Sequence, residues 1–387
     1  MKKLLLSGAA ATALALASTP AMASSDGVID LEVGGFFKAY GVFTDHDDDF
    51  GGATNGADRR SFDLRRSGLI SFSGEATLDN GLTVGAVIEM ETEGGENNTN
   101  LADDNDTMFE ESYIYFSGGW GRFNFGNEDG AGYLLQVAAP SADDNIDGVR
   151  QDITSFNIAG AGTTAFRLDY DMDMGWGDEK LTYLTPRFNG FQAGVSYAPQ
   201  VRAADGVNSA VSGMDTDNVP GEFEHGLEIA ARWDGQFEDV TVALGAGYAH
   251  ASTEADAGAG LVGSDDYDAW NAAFDLGFQS FGLGAAYHET SNGVDTDGDT
   301  TTWVVGVDWE NGPYTLGLSY LDREDEAASP TALGAAETDH TRITGGGSYA
   351  YGPGMSFRGS VSWVNQDVAA ATDEDAYQVA VGTDISF

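Results

Sequence analysis

Four basic residues fall close together early in the chain: Lys38, Arg59, Arg60 and Arg65. Acids gather later, at Glu128, Asp129, Asp143, Asp144 and Asp147. Opposite charges held on facing walls make a transverse field, which orients ions and dipolar solutes without making or breaking a bond. Bond-making chemistry has little support. The histidines are His46, His225, His250, His288 and His340, none at metal-ligand spacing. There is no G-x-S-x-G, H-E-x-x-H or P-loop motif. His250 and Ser252 share a strand face, yet nothing in the sequence orients the histidine for catalysis. Asp295-Thr296-Asp297-Gly298-Asp299 carries the alternating acids that open a calcium loop. Thr300 and Gly306 stand where that pattern asks for Gly and Glu. Asp295, Asp297 and Asp299 therefore suit at most a weak Ca2+ site of about 10⁻⁴ to 10⁻³ M.

Charges can face each other only if rigid elements hold them, and the alternation of side chains identifies those elements as strands. In Leu227–Trp233 the residues Leu227, Ile229, Ala231 and Trp233 fall on one face, with Glu228, Ala230 and Arg232 on the other. The same dyad places Glu32, Phe36, Lys38 and Tyr40 opposite Val33, Phe37, Ala39 and Phe43. It also places Arg65, Ser67, Ser71 and Ser73 opposite Ile70 and Phe72. Arg66 shares the apolar side. Short turns are legible at Leu78–Gly81, Gly118–Gly121, Pro186–Gly190, Asp234–Phe237, Gln279–Ser280, Glu310–Pro313 and Tyr351–Gly354. Longer polar segments alternate with them, near 44–60, 94–108, 128–179, 199–223, 252–266, 289–299, 322–340 and 366–373. Seven turns and eight loops require about sixteen strands.

Composition selects among all-β folds. Lys2 and Lys3, the apolar Leu4–Ala17 and Ala21-Met22-Ala23 read as a secretory leader over 1–23, with the mature domain over 24–387. Taking Lys2 and Lys3 from the 17 bases leaves 15 against 63 acids, a net charge of −48. Such a surface disfavours nucleic acid. There are no cysteines, so disulfides do not hold this exported chain together. After the leader no run approaches the ~18 apolar residues of a membrane helix. Trp120, Phe188, Phe191, Trp233, Phe237, Phe278, Phe281, Trp309 and Tyr314 sit beside the short turns, where rings collect at a headgroup plane. The expected fold is an antiparallel up-and-down transmembrane β-barrel, oily outside and wet within.

The last strand alternates at Tyr377, Val379, Val381, Thr383 and Ile385 up to Phe387. Arg66–Glu75 with Asp79–Leu82, Thr182–Tyr197 and Leu31–Phe43 form further strands of one style. Together these segments resemble the Gram-negative outer-membrane porins, most closely those of alphaproteobacteria. That resemblance implies a sixteen-stranded homotrimeric barrel for passive diffusion of small hydrophilic solutes and ions, with no cofactor required. It implies contact with outer-membrane lipid and lipopolysaccharide, and reading of Phe387 by the outer-membrane assembly machinery. It also implies that the third outer loop, here Asn127 to Glu179, folds into the lumen. Porins of this kind often set several arginines against that loop, and this chain has few bases from which to build such a ladder. The acidic balance points to a cation-preferring pore. Other readings are a solute-selective channel with a binding site at the constriction, or a structural or adhesive outer-membrane barrel.

Overall fold

The computed structural model describes residues 29–47, 60–91, 109–154, 156, 167–175, 178–201, 217–258, 262–295, 298–326, 337–368 and 373–387. The leader, Arg59 and Asp297 lie outside these residues. Sixteen strands form one sheet: β1 (Asp30–His46), β2 (Phe62–Thr77), β3 (Thr83–Glu91), β4 (Phe109–Gly118), β5 (Gly121–Asn127), β6 (Glu179–Leu184), β7 (Phe191–Val201) and β8 (Phe223–Phe237). The others are β9 (Val240–Thr253), β10 (Tyr267–Phe278), β11 (Phe281–Thr290), β12 (Thr300–Asn311), β13 (Tyr314–Asp325), β14 (Thr338–Gly352), β15 (Met355–Val368) and β16 (Glu374–Ser386). Each is antiparallel to its chain neighbours, and β1 closes on β16 from Phe36↔Ser386 to His46↔Ala376. The Phe387 amide donates to the Gly35 carbonyl at 3.1 Å and its carbonyl accepts from the Gly35 amide at 3.0 Å. Closure gives every one of these strands a partner on both sides, as lipid demands of any spanning sheet.

Seven tight connections join the strands at one end, as the turn residues require. One expected turn shifts. Asp234–Phe237 continues β8, and the chain reverses at Glu238–Asp239, with Glu238 at φ 51°. Asp234 stays in the strand because the ladder with β9 runs on to Phe237↔Val240, and Arg187 and Arg232 hold its carboxylate at 2.7 and 3.0 Å.

The barrel is inside-out relative to a soluble sandwich. Leu227 and Ile229 are 42% and 50% exposed, whereas Glu228 and Arg232 on the opposite face are 1% and 8% exposed. Aromatic rings mark the turn end through Trp120, Phe123 and Tyr183. A second belt lies toward the long loops, where Trp270, Tyr287 and Trp303 contact across three strands with centroids 4.6 and 4.4 Å apart.

The core lies within the lumen. Between β5 and β6 the described residues 128–154, 156, 167–175 and 178 lean on the inner wall, with two short helical turns, α1 (Ala131–Leu134) and α2 (Asp144–Asp147). The returning limb packs Leu168 and Tyr170 against Ala286, Val304, Leu321, Val364 and Ala376. Met172 and Met174 meet Ala249, Ala251 and Ala269. Inward glycines let the outgoing limb approach the strands. A Cβ on Gly306 of β12 would lie 1.8 Å from the Pro140 carbonyl oxygen, and one on Gly317 of β13 would lie 2.1 Å from that of Ser141. Strand glycines commonly mark such close backbone approach.

Two outcomes are expected. Val305→Arg, half-way along the lipid face of β12, should lower stability in bilayers by about 2–4 kcal/mol, read from urea unfolding in vesicles. Gly306→Ala should lift the loop from its seat and raise single-channel conductance; an unchanged conductance would contradict this seat.

Candidate functional site

The polar side chains of the lumen lie where loop and wall meet. Lys38 of β1 is buried, and its Nζ donates to Asp152 of the loop at 2.6 Å. Two residues along the same face, the Tyr40 hydroxyl donates to the Asp143 carboxylate at 3.0 Å and accepts from Asn145 Nδ2 at 2.8 Å. Arg358 of β15 reaches Asp143 at 3.1 Å, contacts Asp144, and approaches Asp384 of β16 at 3.4 Å. Asp147 accepts from the amides of Ala142 and Asp143 at 2.8 and 2.7 Å, and from the Ser319 hydroxyl. Asp143, Asp144 and Asp147 therefore sit on the wall that holds the loop. The field expected between Lys38 and the loop is compressed into a contact ion pair.

Arg65 also faces inward and donates weakly to the Thr154 hydroxyl at 3.4 Å. Arg60 stays at the exposed rim, where its carbonyl accepts from the Thr44 hydroxyl. Arg59 falls outside the described residues. Glu128 and Asp129, at the root of the loop, are both buried. Asp129 joins Asp171 and Asp173 around Arg150 at 3.5, 2.8 and 2.7 Å, so one guanidinium clasps both limbs of the loop. That guanidinium also lies 4.2 Å from the Tyr133 ring centroid.

The expectation that the bases were too few for a ladder against the loop is corrected. Arg232, Arg323, Arg342 and Arg358, from β8, β13, β14 and β15, all reach the loop. Arg232 donates to the Gln136 carbonyl at 3.1 Å, Arg323 to that of Arg167 at 3.3 Å, and Arg342 to those of Ile146 and Leu168 at 3.3 and 2.9 Å. Lys180 of β6 donates to the Glu128 carbonyl at 3.1 Å. Scarcity is offset by direction, since these bases share the inward face. The dyad that put Arg232 opposite Leu227 and Ile229 was the available signal; applied to β13–β15 it would have found the other three.

Burial governs the loop acids. It pushes the Glu128 carboxyl up to about 8, with Asp129 adding to the rise and Arg122 opposing it. Asp173 rises to about 7, through burial and the nearby Asp129 charge, against the pull of Arg150 and Lys180. Asp143 rises to about 6 through burial, restrained by Arg358.

Other expectations from sequence fall elsewhere. Asp295 accepts from the Ser264 hydroxyl at 3.1 Å, while Asp297 lies outside the described residues. Among the described residues, the carboxylates that converge within 4.8 Å are those of Glu324, Glu337 and Asp339, all exposed. His250 has an orienting partner that the sequence did not reveal, Asp268 at 3.0 Å. His288 and His340 are buried inside the barrel.

The comparisons with known proteins agree with this architecture. The family model described as Gram-negative porin matches residues 10–369. No curated protein matches the chain at a significant level. Among solved structures, the anion-selective porin from Comamonas acidovorans superimposes with a TM-score of 0.58 at 15% identity, covering 93% of this chain and 100% of that one. A mutant of the Rh. blastica porin gives 0.55 at 18% identity, covering 92% and 100%. OmpT from Vibrio cholerae, in its trimer form, gives 0.53 at 14% identity, covering 93% and 100%. These structural likenesses, at such low identity, concern the fold. The match along residues 10–369, together with the closed barrel of the sixteen strands, makes this chain a member of the Gram-negative porin family and an outer-membrane protein.

Proposed function

We propose that the chain forms a water-filled pore for passive diffusion of small hydrophilic solutes and ions, with one pore per chain in a homotrimer, and that the pore prefers cations. The observation that carries the cation preference is where the inward bases go. Lys38 is paired with Asp152, Arg232 with Asp234, Arg323 with Asp325, and Arg358 with Asp143 and Asp144, which leaves little positive charge to meet a passing solute. In a narrow bore the surplus acids then set the sign of the field. The Comamonas neighbour is an anion-selective porin, and at 15% identity its wall charges do not carry over to this chain. The trimer follows the form recorded for the Vibrio neighbour. Lipopolysaccharide contact and reading of Phe387 by the assembly machinery belong to the same proposal.

Reversal potentials across planar bilayers in a KCl gradient test the preference, with a cation-selective sign expected. The preference should grow between pH 6 and pH 9. Asp173 and Glu128 are neutral below about 7 and about 8 and become negative above those values, so each adds to the field as pH rises. An anion-selective potential at pH 8 would overturn the reading. The channel requires no cofactor on this reading. Weak Ca2+ at Asp295, Asp297 and Asp299 is proposed only at about 10⁻⁴ to 10⁻³ M, and equilibrium dialysis should show that binding lost on Asp299→Asn.

A further inference from the structure

We infer that Glu75 of β2 and Arg122 of β5 form a subsite for compact zwitterionic solutes, such as free amino acids, at the turn-end mouth of the bore. The inference rests on the diffusion-pore reading and deepens it by naming a solute class. The site is built on one register row. Glu75 pairs with Gly85 of β3, Gly85 with Tyr115 of β4, and Tyr115 with Asn124 of β5. The row faces inward, since Phe116, Phe123 and Phe125, next to Tyr115 and Asn124 along their strands, are exposed on the lipid side. A Cβ on Gly85 would lie 2.3 Å from Tyr115 Cζ, so the ring crosses β3 only because that residue is glycine. Its hydroxyl then reaches Glu75 and donates to Oε2 at 2.5 Å. Arg122 lays its guanidinium over the ring, with Cζ 4.0 Å from the centroid. Wall, ring and guanidinium are stacked in layers, and the acid sits at the hydroxyl end.

Neutral groups hold Arg122 in place. Its Nε donates to Asn124 Oδ1 at 2.6 Å, and its Nη2 donates weakly to the Tyr113 hydroxyl at 3.5 Å. Among the described residues no carboxylate stands at ion-pair distance from Arg122, and no acceptor meets its Nη1, which is open to water. Arg150, Arg232, Arg323 and Arg358 differ, each having a carboxylate at contact. Glu128 feels the Arg122 charge without an ion-pair contact, and burial favours its neutral form. Glu75 is exposed, and among the described residues its Oε1 has no partner. The loop leaves the site to the bore. Helical turn α1 seats against β6, β7, β8 and β9, and among the described residues no loop atom bonds to Glu75, Tyr115 or Arg122.

Two opposite charges bracketing one ring, each with an open atom, suit a solute that carries both charges on a short backbone. Its carboxylate accepts from Arg122 Nη1 and its ammonium donates to Glu75 Oε1. The guanidinium is already stacked and hydrogen-bonded, so binding does not have to order it. Water reaches both groups, so each contact is weak, and a solute held briefly is released again, as passage requires. One base does not reverse the field of the surplus acids.

Vesicles reconstituted with the purified protein test the subsite by their swelling in L-alanine and in erythritol, an uncharged solute of similar size. The rate in alanine relative to erythritol should fall severalfold in Glu75→Gln and in Arg122→Gln, with erythritol swelling reporting that each variant is folded and open. In the wild type, added L-alanine should lower the single-channel KCl current more than equimolar erythritol does. A wild-type ratio in both variants, or equal effects of the two solutes on the current, would overturn the inference. A fall in Arg122→Gln alone would overturn it too, by reducing the site to an anion contact. No erythritol swelling in the wild type would instead mark failure of the parent reading, visible before any variant is compared.

Discussion

Every feature of this molecule follows from the need to pair backbone amides and carbonyls where no water is available. In a bilayer an unpaired strand edge is not tolerated, so the sheet must close on itself. Here β1 pairs with both β2 and β16, and the Gly35–Phe387 contact completes the seam. Closure fixes the parity of all sixteen strands at once. One face meets lipid and the other meets the lumen, without exchange between them.

That parity decides where scarce residues act. A chain with 17 bases and 63 acids has a strongly negative surface, yet its inward strand positions recruit Lys38, Arg232, Arg323, Arg342 and Arg358. These bases mainly fasten the loop. They bind its carbonyls as well as its carboxylates, and the apolar row Ala286, Val304, Leu321, Val364 and Ala376 packs its returning limb. The lumen thus contains a small hydrophobic core of its own, flanked by ion pairs.

The strands and turns were legible because alternation and glycine turns are local signals. Leu227–Trp233 and Tyr377–Phe387 could be read residue by residue, and the strand count followed from turns and loops. The turn expected at Asp234 moved because β8 keeps its ladder with β9 as far as Phe237↔Val240. The loop's inward path was implied by family resemblance, whereas its anchors are long-range contacts that no local pattern encodes. Gly306 reads as an ordinary strand glycine until Pro140 is placed against it. Asp143 and Asp144 read as a free acidic face until Arg358, more than two hundred residues away, is brought beside them.

The central claim is an open aqueous bore through a closed cylinder, and swelling of vesicles reconstituted with the purified protein tests it most directly. In solutions of sugars of graded size, swelling should be fast for the smallest and fall steadily as the solute grows. Swelling no faster than that of protein-free vesicles, with the smallest sugar included, would contradict the account.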